Sequence, residues 1–422
     1  MTGVKLPPFR IGICEPGRRE PGMMMFNVRP GGSADGEIPV GWLMAIDQAG
    51  ETVFCNTYDQ PPQDVRRLAN GNILFSQTDH GVINEMTHSG DVIKQWYVTG
   101  KWHDRSPPAE ACPIDIQLYH HTINVFADGN LLLLGMEVRE YSNWPGSDTD
   151  ADVPNETAKV VGDIVMEVAP NGTVLNRWKM LDILDPYRIC YGSRAQYWVR
   201  RGFPDTNDWC HANAIAHDAR DNSILVSLRT QDCIIKFDRG TGELKWILGT
   251  HDNWKPHLSE KLLRPIGNVE WQFHQHDCSI TSSGNILCFD NGNFRATPFN
   301  GKVPADQNYS RVVEFEVDED ARTVRQVWSY GSGPGERLYA CYQGGAFRLP
   351  RTGNTFMTYG GIVSVDGKPA DAPEAGFCRS RLIEVTPDGD VVFDMWVDGS
   401  DDDTPIPLSV FRAEHFPPTG NN

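Results

Sequence analysis

The stretch HTINVFADGNLLLLG (His121–Gly135) decides the fold, because its pattern returns along the chain. Two apolar runs flank an Asp-Gly-Asn turn, and turns of this kind need the positive φ that glycine and asparagine tolerate. The stretch therefore predicts a β-hairpin. Related hairpins are predicted at Gln63–Gln77, His211–Ser227, His276–Asp290 and Gln343–Gly360.

A second hairpin follows each of the first ones and brings a tryptophan to the same place. These tryptophans are Trp96, Trp178, Trp246, Trp328 and Trp396. A large ring at a repeated position is typical of packing between neighbouring sheets. Each repeat therefore predicts four antiparallel strands, the blade of a β-propeller.

These repeats predict an all-β chain with one domain over residues 1–422, folded as a six-bladed β-propeller. An extended arm is predicted at 1–21, and blade units near 60–100, 119–180, 209–250, 274–331 and 340–398. The sixth blade is predicted to combine 22–58 with 404–416. Strands from both ends of the chain would then close the ring and leave no exposed sheet edge.

Composition narrows the class of partner. The formal net charge of -18 argues against nucleic acid or an anionic membrane. No segment approaches the roughly 20 apolar residues of a membrane span, and the N-terminus lacks the apolar core of a secretory signal. We expect a cytoplasmic protein, or a periplasmic one if a leader was removed. The ten cysteines contain no CxxC pair, which predicts reduced core thiols rather than a structural zinc site.

The residue eight positions before the turn glycine recurs along the chain. If the first strand of each blade lines a central channel, these residues form one ring. They are Gln63, His121, His211 (allowing for its longer turn), His276, and Gln343 or Gly345. Three neighbouring blades would thus each bring a histidine to the axis, which indicates a functional site rather than three unrelated core residues.

Converging imidazoles allow two kinds of chemistry. Imidazole acts as a nucleophile or as a general acid and base near neutral pH. Three imidazoles could instead bind a transition metal and leave coordination positions open. Arg229 and Arg295 follow strands that should end near the channel mouth. Guanidinium groups there favour a tetrahedral oxyanion such as sulfate or phosphate, which they bind through paired hydrogen bonds.

Three segments resemble the bacterial arylsulfotransferases. They are DWCHANAIAHDARDNSILVSLRTQDCIIKFDRGTGELKWILG (Asp208–Gly249), QHDCSI followed by GNILCFDNGNFR within 275–295, and YSRVVEFEVDEDARTVRQVWSYG (309–331). The resemblance runs over most of the chain and implies the six-bladed fold. It also implies an enzyme that moves a sulfuryl group from one phenolic sulfate ester to another phenol, without a nucleotide donor.

By this resemblance His211 and His276 are channel histidines, and Arg295 is the arginine that ends the FDNG segment. In the family such groups bind the sulfuryl oxygens and assist proton transfer, around a further histidine that is transiently sulfurylated. The segment expected to carry that nucleophile, ERLYACYQGGAFRLPRTGNTFMTYGG (336–361), has no histidine and offers Gln343 instead. The candidate to replace the nucleophile from across the channel is His121.

Three hypotheses follow. The first is an arylsulfotransferase-like enzyme that acts on a small phenolic molecule and needs no cofactor. The second is a metal-dependent lyase, hydrolase or oxygenase of a small aromatic compound, with His121, His211 and His276 as ligands. The third is a non-catalytic propeller that binds a protein partner; a homo-oligomer is compatible with each. The predicted catalytic residues are His211, His276, His121 and Arg295, and the predicted substrate-binding residues are Arg229, Gln343, Tyr342, Gln63, His80 and Trp209.

Overall fold

The computed structural model describes residues 6–31, 41–104, 106–400 and 405–418. Parts of the predicted arm and sixth unit, residues 1–5, 32–40 and 404, lie outside these ranges. The chain is all-β. In chain order the thirty strands of the described residues are β1 (Phe9–Cys14), β2 (Met23–Pro30), β3 (Gly41–Asp47), β4 (Thr52–Tyr58), β5 (Val65–Arg67), β6 (Ile73–Gln77), β7 (Val82–Met86), β8 (Val92–Val98), β9 (Cys112–Ile114), β10 (His120–Val125), β11 (Leu131–Trp144), β12 (Glu156–Val168), β13 (Val174–Lys179), β14 (Thr206–Asp208), β15 (Ala212–Asp218), β16 (Ser223–Leu228), β17 (Cys233–Asp238), β18 (Leu244–Gly249), β19 (Arg264–Pro265), β20 (His276–Ile280), β21 (Ile286–Asp290), β22 (Arg311–Asp318), β23 (Thr323–Tyr330), β24 (Gly345–Arg348), β25 (Thr355–Val365), β26 (Lys368–Pro369), β27 (Phe377–Val385), β28 (Val391–Val397), β29 (Leu408–Ser409) and β30 (Ala413–Phe416).

Helix is confined to short pieces. Two α-helices of four residues each are present in the described ranges, α1 (Met180–Ile183) and α2 (Pro256–Ser259). Single 3-10 turns occupy Pro16–Arg18, Thr99–Lys101, Val199–Arg201, Arg229–Gln231, Ala305–Gln307 and Pro373–Ala375.

The described strands form six sheets. Their orders are β5-β6-β7-β8-β9, β10-β11-β12-β13 with β14 beside β12, β15-β16-β17-β18, β20-β21-β22-β23-β19, β24-β25-β27-β28-β1 with β26 beside β25, and β4-β3-β2 with both β29 and β30 on β2. Neighbouring strands run antiparallel, except that β9, β14 and β19 join their sheets in parallel. The hairpin predicted at His121–Gly135 is present, with β10 paired to β11.

Both ends of the chain are held in sheets. Strand β2 pairs with β3 on one side and with β30 on the other, where Met23 lies opposite Phe416. Strand β1 completes the preceding sheet by pairing with β28. Backbone hydrogen bonds therefore hold β2 on both of its sides, and they hold β1 to its sheet through β28.

The first strands of the sheets contact one another in succession. We call β5, β10, β15, β20, β24 and β30 the inner strands. Contacts run from β30 to β5, β10, β15, β20 and β24 in that order. Backbone hydrogen bonds from Gly344 to Phe411 and from Val410 to Gly360 connect the fifth sheet to the sixth. The succession of sheets is therefore closed.

The repeated tryptophans fill the space between sheets, as the sequence predicts. The ring of Trp96 packs with Ile164 and Met166 of the next sheet, and Trp246 packs with Phe315. Trp178 lies 5.6 Å from Phe237 between ring centroids. Burying an aromatic side chain stabilises a fold by about 2–3 kcal/mol, so these positions hold successive sheets together.

A buried cluster of charged and polar groups joins five sheets through their inner ends. The guanidinium of Arg412 donates to Asp277 Oδ1 at 3.0 Å and to the Asn213 carbonyl oxygen at 2.9 Å, and its Nε lies 3.6 Å from Asp64 Oδ1. Asp64 Oδ2 accepts a 2.8 Å hydrogen bond from the Thr122 hydroxyl. We call these residues the Arg412 cluster. Because each partner belongs to a different inner strand or the residue beside it, the cluster fixes where those strands meet.

Candidate functional site

A cavity of about 500 Å³ lies where the inner strands begin. Its wall carries five of the twelve histidines, namely His120, His121, His211, His274 and His276. The wall also holds basic and acidic side chains in similar numbers, although the chain as a whole is acidic. A concave site with convergent polar groups is the usual setting for a ligand.

The structure brings most of the predicted site residues to this one wall. His121, His211 and His276 line it together with Arg229, Gln343, Tyr342 and Gln63. The rings of His121 and His211 lie 4.7 Å apart between centroids, edge to face. Gln63 holds another wall residue in place, because its Oε1 accepts a 2.7 Å hydrogen bond from Arg29.

Three predicted residues do not reach the wall. Arg295 donates to Asp290 Oδ2 at 3.1 Å and to the Tyr309 carbonyl oxygen at 2.8 Å. The ring of Trp209 is fully buried and donates to the Arg188 carbonyl oxygen, and the His80 ring packs edge-on against Trp102. These side chains are occupied in packing and loop structure.

The position of Arg295 has a backbone cause. Phe294 and Arg295 both have left-handed φ, 65° and 40°. This unusual pair sets the Phe294 ring on the cavity wall while Arg295 contacts Asp290 behind it. Where a loop contains two successive left-handed residues, strand spacing alone does not predict the direction of their side chains.

The repeated position is strained in three of the sheets. His121, His211 and Gln343 have φ of 56°, 46° and 56°. Register shifts accompany the first two, at the starts of β10 and β15. His276 does not share this conformation; its neighbour Asp277 has φ of 64°. Non-glycine residues in this region cost free energy and gather at functional sites.

His211 is paired with a buried carboxylate. Its Nδ1 lies 2.5 Å from Asp208 Oδ2, so Nδ1–H donates and Nε2 is the unprotonated nitrogen of the neutral ring. The ring of Tyr197 stands edge-on at 4.5 Å from the imidazole. A carboxylate in this position fixes the tautomer and stabilises positive charge that develops on the ring.

His121 contacts a second imidazole. Its Nδ1 lies 2.7 Å from His120 Nδ1, and its ring stacks against Tyr197 at 5.8 Å between centroids. Burial, followed by the nearby His211, lowers the pKa of His121 well below its ordinary value. The ring is therefore neutral at neutral pH, which suits a proton acceptor.

His276 has both ring nitrogens in use. Nδ1 donates to Asn291 Oδ1 at 2.8 Å, because the Asn291 amide nitrogen itself donates to two carbonyl oxygens. Nε2 accepts a 3.2 Å hydrogen bond from the backbone N–H of Gln343. Burial, followed by the charge of Arg229, lowers the pKa of His276 well below its ordinary value.

Arg229 is a cation without a carboxylate partner. Its Nη2 lies 3.4 Å from the Cys341 carbonyl oxygen, and no ion pair to it occurs among the residues that the structure describes. Burial lowers its pKa. Two other wall arginines differ, since Arg29 pairs with Asp79 at 2.9 Å and Arg200 with Glu374 at 2.7 Å. An unpaired guanidinium on a cavity wall is ready for an anionic ligand.

The metal hypothesis is not supported by the geometry. Within the described ranges, the one group of three ligand-type side chains whose ligand atoms all lie within 4.8 Å of one another is Asp218, Asp221 and Glu319. Lys236 Nζ occupies its centre, 2.8 Å from Asp218 and 2.9 Å from Asp221. His121, His211 and His276 form no such group, and His276 uses both its nitrogens within the protein.

Sequence reasoning missed several wall residues. His120 stands beside the predicted His121, and Asp208 precedes His211 by three residues. The HH and DWCH motifs of the sequence therefore already contained His120 and Asp208. Tyr197 lies in a loop whose aromatic content is visible in the sequence, but nothing local indicates that its ring contacts His121 and His211.

Comparison with known proteins identifies a family. The family model described as Arylsulfotransferase (ASST) matches residues 39–405. The arylsulfate sulfotransferase AssT of Escherichia coli O6:H1 (strain CFT073) is 31% identical over 223 residues, which is 43% of this chain and 36% of that protein. AssT of Lelliottia amnigena is 30% identical over the same length. The chain thus matches little more than a third of these relatives.

Solved structures add little. A protein of unknown function from Bacteroides caccae has 13% identity and a TM-score of 0.46, covering 93% of this chain and 98% of its own. A streptogramin B lyase has 10% identity and a TM-score of 0.35, covering 96% and 97%. Both scores are too low to inform fold or function.

No helix in the described ranges is long and apolar enough to span a membrane.

The family match extends over most of the sequence and includes every wall histidine. Its range also contains both segments that supply the Asp208–His211 pair and the unpaired Arg229. The chain belongs to the arylsulfotransferase (ASST) family.

Proposed function

We propose that this chain transfers a sulfuryl group from an aryl sulfate ester to a phenol within the cavity described above. The observation that carries the proposal is the half-buried guanidinium of Arg229, which has no carboxylate partner among the described residues and faces the same cavity as the imidazoles of His121 and His211. A sulfate ester supplies the missing negative charge, and Arg229 would bind its oxygens through paired hydrogen bonds. Arg229 takes the role that the sequence assigned to Arg295.

We further propose that the six sheets form a six-bladed β-propeller, with the cavity at one mouth of its central channel. The closed succession of contacts between inner strands supports this arrangement. The Arg412 cluster supports it as well, because it joins the inner ends of five sheets and would close the channel beneath the cavity.

His211 is the proposed acceptor of the sulfuryl group. Its Nε2 bonds to no group in the described ranges, whereas Nε2 of His276 is occupied by the Gln343 N–H. Attack of Nε2 on sulfur forms an N–S bond and releases the aryl oxygen, and it leaves positive charge on the ring. Asp208 compensates that charge from the opposite side of the imidazole.

His121 is the proposed proton-transfer group. The neutral ring lies beside His211, and a bound sulfate ester would favour its protonation by adding negative charge nearby. The protonated ring then donates to the departing phenoxide, and the neutral ring later accepts the proton of the incoming phenol. Over one cycle the sulfuryl group passes from the donor ester to the acceptor phenol, and a proton passes from the acceptor phenol to the phenoxide released from the donor.

Aromatic side chains provide a place for the phenol ring. Tyr197, Trp198 and Phe294 all line the cavity. Edge-to-face and stacked contacts with such rings stabilise a flat aromatic ligand. Burial raises the pKa of Tyr197 to about 12, so its hydroxyl stays protonated and can donate to an ester oxygen.

The proposal is tested with a chromogenic aryl sulfate and phenol. We expect phenol-dependent release of the chromophore together with formation of phenyl sulfate by wild-type protein. Arg229→Gln should raise KM for the donor and lower kcat, because one oxyanion contact is lost. Arg220→Gln is the matched control. Arg220 does not line the cavity, and its guanidinium lies 2.7 Å from the carboxylate of Asp218. Failure of wild-type protein to transfer sulfuryl groups from any aryl sulfate would reject the proposed function.

A further inference from the structure

A buried chain of hydrogen-bonding groups leads away from His121. His121 Nδ1 meets His120 Nδ1 at 2.7 Å. On the far side of its ring, His120 Nε2 lies 3.1 Å from the Gly135 carbonyl oxygen and 3.1 Å from Asp163 Oδ1. All three side chains are buried, with residue exposures of 6% for His121, 5% for His120 and 1% for Asp163. None of the sequence motifs identified Asp163.

The partners of Asp163 determine what it does. Its Oδ2 accepts hydrogen bonds from the Ala212 N–H and from Cys210 Sγ, each at 2.7 Å. Its Oδ1 has no hydrogen-bond partner of good geometry among the described residues and faces His120 Nε2. A buried carboxylate oxygen left in this state strongly favours positive charge on the ring beside it.

The hydrogen bonds also assign the protons. Gly135 offers only a carbonyl oxygen, so His120 Nε2 must carry a hydrogen. In a neutral His120 ring Nδ1 is then an acceptor, and His121 must donate from its own Nδ1. This leaves the His121 Nε2 lone pair directed away from the pair. His120, which lies behind His121, thus determines that Nε2 is the nitrogen of His121 that can act as a base.

We propose that Asp163 and His120 form a proton relay that makes His121 the base toward the acceptor phenol. When His121 Nε2 takes the phenol proton, its Nδ1 proton passes to His120 Nδ1. His121 is then a neutral ring protonated on Nε2, and His120 is an imidazolium whose charge is balanced by Asp163. The reverse transfer returns a proton to a departing phenoxide. His120 and Asp163 are positioning residues, because neither reaches the reacting atoms.

The surroundings of both rings favour this direction of charge movement. His121 faces His211 and Tyr197, with His276 and the charge of Arg201 further off, and no carboxylate in the described part of the chain pairs with it. His120 faces Asp163 and the edge of the Trp198 ring at 5.1 Å. Positive charge is therefore disfavoured on His121 and compensated on His120.

The proton assignment can be tested without any substrate. In ¹⁵N-histidine NMR spectra of the whole chain, with resonances assigned from His120→Gln and His121→Gln, we expect neutral His121 to carry its hydrogen on Nδ1. Asp163→Asn, which removes the carboxylate that balances an imidazolium at His120, should keep this tautomer and instead slow transfer to weakly acidic phenols. His217→Gln, on the outer part of β15 where it bonds Asn222, serves as control. An Nε2–H tautomer of His121, or unchanged transfer to weakly acidic phenols by Asp163→Asn, would overturn the relay.

The role of the relay in catalysis rests on the proposed sulfuryl transfer, and it is tested separately by the rate of transfer to different phenols. A series of acceptor phenols of different acidity separates base catalysis from folding. His120→Gln should slow transfer to weakly acidic phenols by about 10- to 100-fold, while nitrophenols that are already ionised react nearly as in wild type. An equal loss across the series, or no loss, would reject the relay and leave the proposed function intact. Absence of transfer by wild-type protein would instead reject the proposed function, and the NMR result would then decide the relay.

Discussion

His211 Nδ1 and Asp208 Oδ2 lie 2.5 Å apart, at the junction of β14 and β15 on the cavity wall. The other carboxylate oxygen of Asp208 is buried without a hydrogen-bond partner in the described ranges. The negative charge of the Asp208 carboxylate is therefore balanced mainly through the imidazole of His211. This arrangement leads to a direct test of the role that we assign to His211.

Replacing Asp208 by Asn should lower kcat for sulfuryl transfer by about 100-fold or more, because the amide neither fixes the Nδ1–H tautomer nor balances charge on the ring. The measurement is steady-state kinetics together with mass spectrometry of the quenched enzyme. The peptide containing His211 should carry one SO₃ group in wild type and lose it in the variant. Persistent labelling with unchanged kcat would contradict the assignment.

The two arginines suggested by the sequence should behave differently. Arg295→Gln removes hydrogen bonds to Asp290 and to the Tyr309 carbonyl oxygen, so we expect a lower midpoint of thermal unfolding with little change in KM for the aryl sulfate. The assay is differential scanning fluorimetry beside donor titration. A large rise in KM with unchanged thermal stability would place Arg295 in the binding site after all.

Buried neutral histidines should make stability depend on pH. The pKa values of His121 and His276 are lowered in the folded chain, so below the unfolded value the unfolded state binds more protons. Their stabilising contribution is present above that value and is lost as pH falls from about 6.5 toward the folded pKa values. The free energy of unfolding should fall by about 1.4 kcal/mol per pH unit for each ring.

Urea unfolding at pH 5.5 and pH 7.5 measures this effect, both pH values being chosen to lie about one unit either side of the ordinary histidine pKa. His276→Asn removes one titrating ring and keeps a side chain that can donate to Asn291. The difference between the two pH values should shrink in that variant. Parallel pH profiles for the variant and the wild type would show that the His276 pKa is not lowered.

The Arg412 cluster should be important for stability. Arg412→Met leaves Asp277 buried without its cation and leaves Asp64 with Arg66 as its remaining cation, which should lower the free energy of unfolding by about 3–5 kcal/mol. Arg325→Met is a matched control on an exposed pair with Glu316, and its effect should stay below about 1 kcal/mol. Similar losses from both substitutions would mean that the cluster does not join the inner strands.

The local part of the fold was predictable because its causes are local. Turn chemistry at Gly129 and alternating apolar residues specify a hairpin wherever they occur, and a repeated Trp96 or Trp246 indicates that neighbouring sheets pack on each other. The convergence of His121 and His211 followed from the same periodicity. The left-handed backbone that aims them did not, since no residue type at those positions requires it.

The amino-acid sequence by itself determined the strands, their grouping into repeated units and the three histidines that share a wall, because period and turn type act over a few residues. Only the tertiary structure decided that Arg229 rather than Arg295 faces the cavity, and that Asp163 lies behind His120. Asp163 and His120 are far apart in the sequence and belong to different strands. Which side chains meet across strands depends on register shifts and loop conformations, which short-range patterns do not encode.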